Sequence, residues 1–348
     1  MSNLINACAN RNTIRWKLLT GSSVLALTAY ISSSDVTKAE VNDPPQIWIE
    51  LDGQFANQIT DEELFAPSFL TASPFDAASH MGLEKGRPTI WDKGAKLSFQ
   101  PVGSDWVVSL GVRYGKSGRS ETLNHLTTQP SHTNFGVFNA YQRFETQSVE
   151  SHAILDFQAG KDVGLGRFGS SVIGAGVRIA QFNSRTHVVI HSQPTNYNGS
   201  LPYNKFNASF AAKRRFSGVG PSLSWNASAN LAGAPSSGSI TLDWGVNGAL
   251  LFGRQRTAMN QQTSKAYFFY FTKTKLIQHL GSASRSKNVT VSNLGGFAAV
   301  SWRYADAKVS LGYRADMFFG AIDGGIDTRK SENRGFYGPF ASISVGLP

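Results

Sequence analysis

Ten segments of this 348-residue chain alternate apolar and polar residues with a period of two, the spacers between them are by turns short and long, and residues 1–39 read as an export signal. Alternation of that period marks strands with one apolar face. Strands joined by short turns at one end and long loops at the other run up and down. The sequence therefore predicts an all-β fold: an antiparallel up-and-down transmembrane β-barrel of about 10 strands, with 8 or 12 also compatible with the long spacers. Its short turns are expected on the periplasmic side and its long loops outside the cell.

The leader comes first. Arg11, Arg15 and Lys17 precede the apolar run 18–31, and "VTKA" ends in a small residue at Ala39, the three parts of a cleavable secretory signal. Residues 40–348 are then expected to form one outer-membrane barrel domain. The sole cysteine, Cys8, lies ahead of the apolar run, so the mature chain is expected to hold no disulfide. With 16% charged residues, 41% apolar residues and 34 glycines, the composition argues against a disordered acidic protein or a helical bundle.

The strands follow in order. "IWIELDGQF" sets Ile47, Ile49, Leu51 and Phe55 against Glu50, Asp52 and Gln54, and "WVVSLGVRY" sets Trp106, Val108, Leu110, Val112 and Tyr114 against Ser109, Gly111 and Arg113. The most regular run, 219–231, sets Val219, Leu223, Trp225 and Leu231 against Gly220, Ser222, Ser224 and Asn226. Comparable segments lie near 91–100, 151–160, 171–182, 240–253, 296–304, 308–319 and 336–347. Each approaches the 9–11 residues with which a tilted strand crosses a bilayer. The short spacers are 102–105, 161–169, 232–239 and 305–307; the long ones are 57–90, 116–150, 183–215, 254–295 and 320–335.

Hydrocarbon offers the backbone no hydrogen-bond partner, so the sheet must close and turn its oily face outward. That places Glu50, Asp52, Asp92, Lys96, Arg113, Asp156, Arg178, Asp243, Arg303, Arg314 and Asp316 inside. Such a mixed set reads either as a selectivity lining or as a salt-bridged plug, since few strands leave an interior that side chains fill. Trp302, Tyr304 and Phe319 suit the aromatic girdles at the two interfaces.

Charge is unevenly spread. Glu40–Asp105 holds eleven acids against four bases, whereas Val163–Ala305 holds fifteen bases and the single acid Asp243. Lys213, Arg214, Arg215, Arg256, Lys273 and Lys275 are expected on extracellular loops, there to meet lipopolysaccharide phosphates and other outer-membrane lipids or to draw small anionic solutes inward. The insertion machinery of the outer membrane is a further expected partner, and nucleic acid is not. No metal-site spacing, phosphate loop or catalytic arrangement stands out; no cofactor and no enzymatic activity are expected.

The stretches "FSGVGPSLSWNASANLAG" (216–233), "ITLDWGVNGALLFGRQ" (240–255) and "KVSLGYRADMFFGAIDGG" (308–325) resemble a porin-like family of proteobacterial outer-membrane barrels, of the Legionella major outer membrane protein type. The resemblance extends over the mature chain in strand and turn patterns, and it implies the same barrel fold. Its terminal Gly346, Leu347 and Pro348 depart from the aromatic ending usual for such barrels. The function expected is passive diffusion of small solutes or ions with a preference for anions. The alternative is a non-conducting structural or surface-interaction barrel binding lipopolysaccharide or an external partner through its basic loops.

Overall fold

A computed structural model describes residues 46–60, 89–130, 137–165, 169–194, 203–234, 238–268, 274–324 and 331–347; the leader lies outside them. Among the described residues there is no helix, and ten strands follow one another. They are β1 (Gln46–Thr60), β2 (Thr89–Gln100), β3 (Trp106–Pro130), β4 (Val137–Asp162), β5 (Gly169–Pro194), β6 (Tyr203–Ala234), β7 (Gly238–Phe268), β8 (Thr274–Tyr304), β9 (Ala307–Asp323) and β10 (Ser331–Leu347). Each pairs antiparallel with its sequence neighbours, and β1 closes on β10 from Ile47↔Leu347 to Thr60↔Arg334. The result is the closed up-and-down barrel that the alternation implies.

The short turns are tight for local reasons. Between β2 and β3 the Ser104 amide donates to the Pro101 carbonyl at 3.2 Å, with Gly103 at φ 65°. Between β8 and β9, Ala305 and Asp306 alone separate the paired Tyr304 and Ala307, and Ala305 takes φ 48°, a left-handed value rare for a residue with a Cβ.

The outer wall is apolar over one band. Leu51, Tyr114, Leu223, Phe252, Val300, Leu311 and Phe319 are all exposed, Leu223 and Leu311 by about two thirds of their surface (66% and 67%). On β7 the band runs from Ile240 to Phe252. Its twelve residue-to-residue steps of about 3.4 Å, tilted by about 40°, rise roughly 30 Å, which matches a bilayer's hydrocarbon core.

The long spacers need correction. Residues 57–60, 89–90, 116–130, 137–150, 183–194, 203–215, 254–268, 274–295, 320–323 and 331–335 are strand rather than loop, so β6, β7 and β8 reach 32, 31 and 31 residues while β2 has 12. Above the band the two faces exchange character. On β6, Asn207, Ser209, Lys213, Arg215 and Ser217 face out while Ala208, Phe210, Ala212 and Phe216 are buried inside. The expectation rested on oily outward positions, which end where hydrocarbon ends; the hydrogen-bonded ladder has no reason to stop there. The wall of β3 to β8 therefore rises well beyond β1, β2, β9 and β10.

Candidate functional site: the filled lumen

Inward-pointing residues stack in layers. The lowest centres on Asp243 of β7, which receives Lys308 Nζ at 2.6 Å, the Ser228 hydroxyl at 2.5 Å and the Ser301 hydroxyl. Arg303 lies over the Trp48 ring at 5.0 Å.

The next layer is ionic. Arg178 faces Asp156 in register across β4 and β5 and grips it with two bonds of 2.6 and 3.0 Å, while its remaining amine donates to Asn247 at 2.8 Å and to Asn293. Arg113 meets Asp316 at 2.6 Å, and Arg314 meets Asp52 at 2.8 Å while lying over Phe340 at 4.5 Å. The fork geometry of arginine suits such buried carboxylate pairs. Glu50 and Lys96, opposite one another on β1 and β2, face a half-open chamber of about 310 Å3 lined by this layer together with Asp243, Ser228 and Lys308 of the layer below.

Above the chamber the interior is apolar. Ala56, Ile90, Ile154, Ala180, Phe182, Phe216, Leu251, Val291, Phe318 and Phe336 are buried and form one cluster. Phe182 on β5 and Phe336 on β10 stack at 6.1 Å although these strands stand five apart on a ring of ten, the widest separation available. Phe182 also touches Phe318 of β9 at 4.8 Å. Side chains from opposite walls thus meet on the axis.

A second ionic layer caps the rings. Arg334, 1% exposed, stands between Glu332 at 3.2 Å and Glu150 at 3.6 Å; Arg214 donates to Glu332 at 2.9 Å. Arg285 pairs with Asp323. Arg214, Arg285 and Lys287, expected on external loops, are on strands and point inward, whereas Lys213, Arg215 and Arg256 are on strands and point outward. In a strand one residue's step reverses the face, and "KRR" divides accordingly. Lys273 lies outside the described residues, and Lys275 falls within β8.

All the residues expected inside point inward. What the sequence does not reveal is who meets whom. His152 shares the inner face of β4 with Asp156, yet its Nε2 lies 3.2 Å from Asp92 of β2, an interaction reachable only through strand register. Phe182, Phe318 and Phe336 fall within the alternating segments 171–182, 308–319 and 336–347 and Phe216 just before 219–231, and nothing in the alternation marks them as one cluster.

Fold and outer belt together define a transmembrane β-barrel, and its lumen holds a chamber of about 310 Å3 below a layer of buried rings. No family model matches the chain, and no curated protein does. Among solved structures, the transport unit of the autotransporter AIDA-I from Escherichia coli is similar at 5% identity over 93% of this chain and 98% of that one, with a TM-score of 0.26. LpxR from Salmonella typhimurium is similar at 9% identity, over 86% and 99%, with a TM-score of 0.20. A major outer membrane protein from Thermus thermophilus shows 13% identity over 71% and 100%, with a TM-score of 0.19. Scores this low transfer nothing from those proteins to this one, and no comparison ties the chain to the Legionella-type proteins.

Proposed function

We propose that the protein is an integral barrel of the bacterial outer membrane that is closed in its resting form, and whose role is structural and surface-directed. The carrying observation is the stack of Phe182 on Phe336 from opposite walls, with buried ion pairs below and above it. The apolar belt supports the membrane setting, because such a surface in water is an aggregation liability. The tall wall of β3 to β8 is what the barrel presents outside.

A diffusion channel with anion preference is the competing reading, and the polar chamber beside Glu50, Lys96 and Arg113 favours it. It requires the ring layer to move aside. It also requires cations in excess, whereas Arg113, Arg178, Arg314 and Lys308 each have a carboxylate partner. Planar-bilayer recording on the refolded protein separates the two. Silence over a wide voltage range is expected of the closed barrel; discrete conductance steps displaced toward anions would overturn it.

A further inference from the structure

The outer wall of β5, β6 and β7 carries a cationic patch that neither belt nor lumen explains. Lys213 stands directly opposite Arg185, Arg215 stands directly opposite Arg256, and Arg254 follows two residues below Arg256. All five point outward. Like charges facing one another across a ladder are unfavourable, and β5 to β8 have no outward acid to relieve them: Asp243, the one acid between Val163 and Ala305, points inward. The outward acid of neighbouring β4, Glu145, is engaged by Arg143 at 2.7 Å. Burial, together with Arg215 and Arg185, holds the Lys213 ammonium below its ordinary value.

Height decides the partner. Arg254 is two residues and Arg256 four above Phe252, an exposed aromatic of the belt, and Arg215 is four above Val219. At 3.4 Å per residue and a tilt of about 40°, these steps are roughly 5 and 10 Å, the depth of a headgroup layer. Lys213, Arg215, Arg256, Ser284 and Ser286 line a depression of about 350 Å3. Higher on the wall, His187, Ser209, Asn260, Gln262 and Ser282 line, with Ala211 and the exposed Leu280, a second one of about 350 Å3 that mixes hydrogen-bonding groups with apolar surface and holds no lysine, arginine or acid.

We infer that this wall is a binding site for a phosphorylated glycolipid of the surrounding leaflet, its phosphate held among Lys213, Arg215 and Arg256 and its sugar hydroxyls against the hydrogen-bonding groups of the depression above. The inference rests on the membrane-barrel reading. It adds a lipid of defined chemistry and a defined side of the barrel.

The test reconstitutes the full barrel and the Lys213→Gln/Arg215→Gln/Arg256→Gln variant into nanodiscs doped with bisphosphorylated lipid A, its dephosphorylated form, or an anionic phospholipid, and measures retained lipid by native mass spectrometry. The wild type is expected to retain bisphosphorylated lipid A on the order of 100-fold more tightly than the variant, from about a fivefold contribution for each of the three cations. In uncharged detergent the variant should melt no lower than wild type, since the substitutions remove repulsion; added lipid A should raise only the wild-type melting temperature. Equal retention by both proteins, or equal preference for the phospholipid, overturns the inference while leaving the barrel intact. A chain that fails to insert into bilayers at all overturns the membrane reading and this site with it.

Discussion

His152 of β4 reaches Asp92 of β2 at 3.2 Å across an intervening strand, and it does so over Gly115 of β3, which stands in register with both. A Cβ built at position 115 would overlap the Asp92 carboxylate and the His152 ring. Both partners are almost wholly buried, and the histidine ring lies 4.0 Å from that of Phe336, so the pair is packed into the edge of the aromatic layer. Gly115→Ala is therefore expected to cost about 2–4 kcal/mol through the lost pair and the displaced layer. Thermal unfolding in detergent reads this, with Gly118→Ala, whose added Cβ meets open space, as the control that should move little.

If the rings close the axis, removing two of them should open it. Phe182→Ala with Phe336→Ala deletes the stacked pair from opposite walls. The double variant is expected to conduct in planar bilayers where the wild type is silent, and each single change should cost about 3–5 kcal/mol of stability. A destabilised but still silent double variant would place the barrier elsewhere in the stack.

Arg178 and Asp156 offer a test of the ionic layer. Asp156→Ala leaves the buried Arg178 guanidinium without its carboxylate, which should cost about 3–5 kcal/mol, whereas Asp156→Leu combined with Arg178→Met should cost far less. Additive losses in the cycle formed by Asp156→Leu, Arg178→Met and their combination would show that the two side chains do not act as a pair.

The belt can be challenged at Leu223, 66% exposed at mid-height on β6. Leu223→Arg is expected to lower folding stability in bilayers by about 2–4 kcal/mol, and Ser217→Arg, above the belt, by no more than about 1 kcal/mol. Equal, small effects at both positions are the result expected if water rather than lipid surrounds Leu223.

Acid should loosen the upper ionic cap, which sits above the belt. Burial opposes ionisation of Glu150, but Arg334, the Gln58 amide, Arg214 and Ser184 outweigh it and hold its carboxyl below the ordinary value of 4.5. A depressed carboxyl contributes stability that is fully present above its unfolded value and is lost as pH falls through the folded one. The melting temperature should thus drop below about pH 4.5, and Glu150→Gln should flatten that drop. An unchanged acid limb in Glu150→Gln would assign the loss to other carboxylates.

Much of this barrel was written in local pattern. The alternation of Val219 to Leu231, or of Val309 to Phe319, names the strand, its outer face and its inward partners, because the pleat has a period of two and hydrocarbon tolerates only apolar side chains. The parity of the spacers set the strand count and direction. Where those strands stop was not legible, since beyond the headgroups the outward positions become polar while the ladder continues, as at Lys213 and Arg215 on β6.

What tertiary structure alone decided is the content of the axis. Each inward residue is known from its own strand, but Asp92 finding His152, Arg113 finding Asp316 and Phe182 finding Phe336 depend on closure, shear and the register of strands far apart in sequence. Those relations are set by the geometry of the whole ring, and no local stretch of residues carries them.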